Sequence, residues 1–240
     1  MSAEQVIWHD LEYGSYGEDL ALWRELAARE CAPILELGAG TGRVALDLAR
    51  RGHEVVALDS DPVLAAELER RASGLPVHAV LADARSFELN QRFGLCLVPM
   101  QTIQLLGGAA GRSALLERVR AHLEPGGLLA AALSAQLPEY ELAEGVPVPL
   151  PDVCEREGTL YFSHPTGIYA EAQGYVLERR RERVSGSGER TVERDRVLLD
   201  HLEPLELERE GAAHGLLADG RARIPATADY AGSEVVMLRA

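Results

Sequence analysis

The decapeptide Ile34-Leu35-Glu36-Leu37-Gly38-Ala39-Gly40-Thr41-Gly42-Arg43 decides the fold of this 240-residue chain. A short apolar strand runs into a glycine-rich turn, and the turn opens a helix, which is the arrangement of a nucleotide-type site. Gly38, Gly40 and Gly42 recur at every second position. A dinucleotide-binding turn places its third glycine five positions after the first, where this chain has Arg43. A side chain of that size obstructs close helix packing and a pyrophosphate. Glu36 stands two residues before the first glycine, at the carboxyl end of the strand, where it would repel a diphosphate. The turn therefore predicts a cationic ligand without phosphate, and the helix start suits a carboxylate on that ligand.

Outward from this turn, strands and helices alternate. A helix is predicted over 18–32, with Leu20, Trp23, Leu26 and Ala27 on one face, and strand 34–37 follows it. Then come helix 42–51, strand 54–58, a helix from Pro62 to Ala72 closed by Gly74, strands 77–82 and 94–98, helix 111–123 and strand 128–133 after Pro125-Gly126-Gly127. Four βα-type repeats with apolar strands predict a parallel sheet covered on both faces. After Ser134 the pattern changes. Residues 145–151 are proline-rich, and 158–200 read as strand pieces at 159–163, 167–169, 175–184 and 191–199, the last two joined by the turn Ser185-Gly186-Ser187-Gly188. Helix 204–213 and strands 216–224 and 234–239 finish the chain. The predicted organisation is a lid and helix over 1–33, a core over 34–134, an antiparallel insertion over 135–202 and the end of the core over 203–240.

Composition narrows the chemistry. The net charge of −14 disfavours nucleic acid and anionic membrane and favours a small partner. All 24 basic residues are arginine, so reactions that need a lysine amine are excluded, among them Schiff-base formation with pyridoxal phosphate and the lysine-dependent kinase, Walker-A and short-chain dehydrogenase sites. Cys31, Cys96 and Cys154 are odd in number and far apart, which predicts neither a disulfide framework nor a metal site. No apolar run reaches the ~18 residues of a membrane span, and Met1 to Trp8 has no leader pattern, so a cytoplasmic protein is expected.

Two further acids end strands. Asp59 closes Val55-Val56-Ala57-Leu58-Asp59, where a carboxylate can accept from both hydroxyls of a ribose; Ser60 follows, and Asp61 is the candidate N-cap of the next helix. Asp83 closes the third strand in Leu81-Ala82-Asp83-Ala84-Arg85, where it can accept from an exocyclic amine while the Ala84 N–H donates to a ring.

Glu36 with its three glycines, Asp59, Asp83 and the Pro-Gly-Gly turn together resemble the class I S-adenosylmethionine-dependent methyltransferases over nearly the whole chain. The resemblance implies a doubly wound, Rossmann-like seven-stranded α/β sheet in the order 3-2-1-4-5-7-6, the last strand antiparallel. It implies S-adenosyl-L-methionine as cofactor, with Glu36, Gly38, Ala39, Gly40, Thr41 and Gly42 holding its amino-acid end, Asp59 and Ser60 its ribose, and Asp83, Ala84 and Arg85 its adenine. Pro99, Met100 and Gln101 then lie over the methyl-donor pocket. Gly94 departs from the pattern, because relatives commonly carry Asp after Phe93. Phe93–Gln101 also lacks the motifs of base N-methyltransferases and cytosine C5 enzymes, which again points to a small-molecule acceptor methylated on N or O.

Methyl transfer from a sulfonium is an SN2 displacement, so alignment matters most and no catalytic triad is expected. Trp8, Tyr13 and Tyr16 resemble a lid over the cofactor, with Tyr13 and Tyr16 as contacts to it; packing of Trp8 and Tyr13 against the sheet is the alternative. His9, Tyr13 and His164 are the candidate catalytic residues, the histidines as bases. Residues 178–196 hold seven Arg against five acids, which reads as a solvated face with cross-strand ion pairs. The insertion is expected to roof the acceptor site, with specificity in Tyr161-Phe162-Ser163-His164, and to offer a homodimer contact. A module that binds the same cofactor without turnover is the competing reading, and Gly94 keeps it open.

Overall fold

The computed structural model describes residues 2–141, 150–227 and 230–240. The proline-rich segment up to residue 149 lies outside the described residues. The helices are α1 (Ser2–Tyr13), α2 (Leu20–Glu30), α3 (Arg43–Ala49), α4 (Pro62–Arg71), α5 (Gly108–His122) and α6 (Pro204–Ala213). The first strands are β1 (Ile34–Leu37), β2 (Val55–Asp59), β3 (Val77–Leu81), β4 (Phe93–Val98), β5 (Leu123–Leu133) and β6 (Tyr140–Glu141). They are followed by β7 (Asp152–Arg156), β8 (Thr159–Glu171), β9 (Gly174–Val184), β10 (Arg190–Asp200), β11 (Leu217–Ile224) and β12 (Ser233–Arg239). None of the described helices is long and apolar enough to cross a membrane.

The chain divides into two compact units. One comprises Tyr16–Ala135 with Leu202–Ala240, the other Met1–Ser15 with Gln136–His201. The larger unit is built on a seven-stranded sheet in the order β11-β12-β5-β4-β1-β2-β3. Its first five strands are parallel, β12 runs antiparallel to β5, and β11 pairs antiparallel with β12. This is the sheet order and strand sense that the glycine-turn resemblance implies. Central strands β1 and β4 are buried at every position, as expected of strands with helices on both faces. The boundaries of α4 follow local chemistry: Pro62 takes the first turn, and Asp61 caps the helix by accepting from the Val63 and Leu64 N–H groups.

Gly94 has a packing explanation. A Cβ at this position would come 2.3 Å from the Ala32 Cβ, so the segment before β1 and the start of β4 approach too closely for any side chain. The position lies at the amino end of β4, whereas the glycine turn follows the carboxyl end of β1.

The smaller unit is an antiparallel sheet, β10-β9-β8-β6, with β7 also paired to β8. Three details differ from the sequence reading. Residues up to Tyr13 form a helix; the two strand pieces at 159–163 and 167–169 are one strand, β8, with an irregular register between Pro165 and Gly167; and β6 and β7 were not anticipated. The Ser185–Gly188 turn is as read, closed by Gly188 N–H to Ser185 C=O and Ser185 N–H to Glu189 C=O, each at 2.9 Å. The arginines of β9 and β10 are only partly devoted to cross-strand pairs. Arg190 pairs with Glu182, but Arg181 and Arg183 reach Glu12 and Glu4 of α1, and Arg179 reaches Asp152 of β7. Glu12 is fully buried and accepts from Arg181 through both oxygens and from the Ser163 hydroxyl, so the helix is fastened by charge as well as by Trp8 packed edge-on against Tyr161.

Candidate functional site

The glycine turn adopts a shape that only glycine accepts easily. Gly38, Gly40 and Gly42 have φ of 71°, 55° and 96°, in the left-handed region. A Cβ on Gly38 would also come 2.5 Å from Thr102 Cγ2, and one on Gly42 would come 2.4 Å from Leu68 Cδ1. The turn is tied to the neighbouring strand, since the Gly38 and Ala39 N–H groups both donate to the Leu58 carbonyl, at 2.9 and 3.0 Å. Ala39 and Thr41 are buried.

Asp59, at the end of β2, accepts from the Gly40 N–H at 2.7 Å and from the Asp61 N–H at 2.9 Å. It is half-buried and Ser60 beside it is exposed. Each carboxylate oxygen thus keeps lone pairs for a hydroxyl while its orientation is fixed by backbone. Asp83, beyond the end of β3, is clamped by Arg85, whose backbone N–H and guanidinium both donate to it. The Arg85 guanidinium holds the Asp83 carboxyl below its ordinary range. Ala84 is buried between them.

The chain leaves β4 through Pro99, Met100 and Gln101. Pro99 is buried, and Met100 has φ of 54°, a left-handed conformation uncommon for a residue with a side chain. Gln101 donates its amide to the Ser134 and Ser233 hydroxyls at 3.1 and 3.3 Å. Ser134 Oγ in turn donates to the Gly232 carbonyl, which leaves it to accept from Gln101 and so fixes the amide's orientation. Buried Gln104 bonds both the N–H and C=O of Ser134, joining this loop to the end of β5. Tyr16 is buried between the Arg43 guanidinium, 5.1 Å from its ring centroid, and the Tyr230 ring at 4.7 Å, and burial pushes its hydroxyl up to about 12.

Glu36 is the most unusual group. It is 2% exposed, hydrogen-bonds the Ala45 backbone, and its Oε2 has no partner. Burial is the largest cause that pushes its carboxyl up, to about 8, partly opposed by Arg43. A buried carboxylate without a counter-ion is costly, and a ligand ammonium is the complement that removes the cost.

The glycine turn, Asp59, Asp83, the β4 exit and Tyr16 all belong to the larger unit. The three candidate catalytic residues belong to the smaller one. His9 and Tyr13 are neighbours on α1, ring centroids 5.4 Å apart, and desolvation raises the Tyr13 hydroxyl. His164 lies opposite Arg180 on the β8–β9 pair; its Nδ1 has no partner, and burial followed by the Arg180 charge lowers its pKa. Asp19, Gln104, Ser134, Ser233 and Tyr230 escaped the sequence reading, because each acts through contacts distant in sequence and carries no local motif.

The residues of the larger unit fit S-adenosylmethionine. Left-handed glycines let backbone approach its amino-acid end, the orphaned Glu36 oxygen suits its ammonium, and Asp59 offers oriented lone pairs to a ribose. Comparison with known proteins agrees. Residues 34–127 match the family model described as "Methyltransferase domain". A cypemycin N-terminal methyltransferase from a Streptomyces species is 34% identical over 113 residues, 47% of this chain and 45% of that protein. This chain thus spans about half the length of that relative. The sugar N-methyltransferase KedS8 from Streptoalloteichus superposes with a TM-score of 0.71 at 16% identity, covering 97% of this chain and 91% of its own. The amino pentose methyltransferase CalS10 from Micromonospora echinaspora, solved with S-adenosylmethionine bound, gives 0.70 at 22% identity, covering 94% and 93%. Residues 34–127 are thus similar to the methyltransferase domain family, and the chain has the fold of the class I S-adenosylmethionine-dependent methyltransferases.

Proposed function

We propose that the chain binds S-adenosylmethionine and transfers its methyl group to a nitrogen or oxygen of a small molecule. The single observation that carries this reading is Glu36, a buried carboxylate with an unpartnered oxygen at the foot of the left-handed glycine turn. When bound, the cofactor supplies an electrophilic methyl on a sulfonium. The chain's own contribution is to hold and orient: the glycine turn and Glu36 take the amino-acid end, Asp59 the ribose, Asp83 and Ala84 the adenine, and the β4 exit the region beside the sulfur. The structural neighbours, a sugar N-methyltransferase and an amino pentose methyltransferase, support an amine of a small molecule as acceptor. His164, His9 and Tyr13 remain the proposed groups for a proton that the acceptor must lose. The non-enzymatic reading rested on Gly94, and packing against Ala32 accounts for a glycine at that position; transfer of label to an acceptor separates the two readings.

We also propose a homodimer through the antiparallel unit. Val153, Phe162, Glu182 and Val192 form one cross-strand row, with Glu182 between Phe162 and Val192; Leu160 lies two residues from Phe162 on the same face, and Val153, Leu160 and Val192 are 49%, 39% and 48% exposed. Light scattering after size exclusion tests it, and a monomer at micromolar concentration refutes it.

Calorimetry tests the cofactor. S-adenosylmethionine and S-adenosylhomocysteine should bind at micromolar concentration and NAD should not. Labelled donor incubated with a panel of amino sugars and other small amines should label the acceptor class, and label found only on oligonucleotides would overturn the small-molecule reading.

A further inference from the structure

Asp19 stands at the N-cap of α2, yet its side chain makes no capping bond. Its carboxylate is instead taken up by Arg43, which donates through Nη1 at 2.6 Å and Nη2 at 2.7 Å, and by Trp23 Nε1 at 2.8 Å. Arg43 Nη1 also donates to the Tyr16 carbonyl at 2.9 Å. The two side chains are 1% and 11% exposed, so this is a buried bidentate pair. The Arg43 charge nonetheless acts on Glu36 and lowers its pKa, the anions Asp19 and Asp59 raise it, and the Ala45 backbone hydrogen-bonds the carboxyl. The nearby cation is thus already committed, and Glu36 Oε2 is left without a partner.

We propose that Asp19 is a positioning residue for the cofactor site: by holding the Arg43 guanidinium it keeps that cation from neutralising Glu36, so the cofactor's α-ammonium takes the counter-ion's place and expels a proton from Glu36 as it binds. The inference rests on the methyl-donor reading above. Charge balances at each stage. In the empty site Asp19 and Arg43 cancel and Glu36 carries a proton. In the filled site the Glu36 carboxylate faces the ammonium, and the proton has gone to solvent. Were Arg43 free to pair with Glu36, no proton would be held and the incoming ammonium would meet an already neutralised acid. Burial, which holds the Glu36 carboxyl at about 8, supports the protonated empty state near neutrality.

The test is calorimetric titration of the full chain with S-adenosylhomocysteine, which keeps the ammonium, in buffers of different ionisation enthalpy. About one proton should be released per site near pH 7, and the affinity should rise roughly tenfold per pH unit below pH 8. Adenosine, which lacks the ammonium, should bind without release. Glu36→Gln should abolish both the release and the pH slope. Asp19→Asn should suppress the release by freeing Arg43, and Asp19→Asn combined with Arg43→Gln, which removes both charges, should restore it even where the single variant folds poorly. Binding by the wild type with no buffer-dependent enthalpy and no pH slope overturns the inference and leaves the cofactor reading standing. Unchanged release in folded Asp19→Asn overturns the role of Asp19. No binding of S-adenosylhomocysteine at any pH overturns the cofactor reading and the inference together.

Discussion

The Gly40 N–H donates to Asp59 Oδ2 at 2.7 Å, so the turn after β1 and the end of β2 are held as one piece across 19 residues of chain. Asp59 therefore holds the loop, and the proposed function gives it a second duty, to the ribose of the cofactor. Asp59→Ala should weaken S-adenosylhomocysteine binding by about 1–3 kcal/mol through lost hydrogen bonds. Asp59→Asn, which can still accept from the Gly40 N–H, should lose less. Calorimetry of both variants checks this, and unchanged affinity in folded Asp59→Ala removes the residue from the site.

Gly38 combines a φ of 71° with Thr102 Cγ2 at 2.5 Å from any added Cβ. Gly38→Ala should weaken cofactor binding at least tenfold and lower the melting temperature, since left-handed strain of about 1–2 kcal/mol adds to the displacement of Thr102. Thermal melts with and without S-adenosylhomocysteine separate the two effects.

Gly94→Asp would place the commoner residue after Phe93, but a Cβ there lies 2.3 Å from that of Ala32. Destabilisation of about 1–3 kcal/mol is expected from overpacking, with cofactor affinity retained in the folded fraction. Chemical denaturation measures it.

Glu36 gives a pH dependence whose sign can be worked out. Its folded-state value, about 8, lies above the ordinary 4.5, so between these limits the folded protein binds the proton that the unfolded chain has lost. Stability of the empty protein contributed by this group therefore falls as pH rises through that window. Glu36→Gln should raise stability at pH 8, by an amount on the order of 4 kcal/mol, and have little effect at pH 4. Melting curves at the two pH values check this, and the gain should be accompanied by weaker cofactor binding.

Glu12 has no exposed side-chain surface and receives both Arg181 and Ser163. Glu12→Ala leaves the half-buried guanidinium with Asp195 as its remaining acid partner and should cost about 3–5 kcal/mol locally. Hydrogen exchange should show faster amide exchange in α1 while the seven-stranded sheet keeps its protection.

Much of the larger unit could be read from sequence because its signals are local. Apolar strands closed by Gly38, Asp59 and Asp83, the Pro62 start of α4 and its Asp61 cap each follow from a few neighbouring residues, and the sheet order follows from the family that those residues resemble. The smaller unit was harder. Ser2–Tyr13 is helical although its aromatics drew attention to packing rather than to period, and its partners, Arg181, Arg183 and Ser163, lie more than 150 residues away. Periodicity cannot report an ion pair of that separation.

By itself the sequence determined the strand–turn–helix at 34–43, the acids that close the next two strands and the absence of any lysine, since backbone conformation and residue chemistry are properties of short segments. Tertiary structure alone decided which charges meet. It gave Arg43 to Asp19 and left Glu36 Oε2 without a partner, because burial and the competition between acids for one guanidinium depend on segments that only folding brings together.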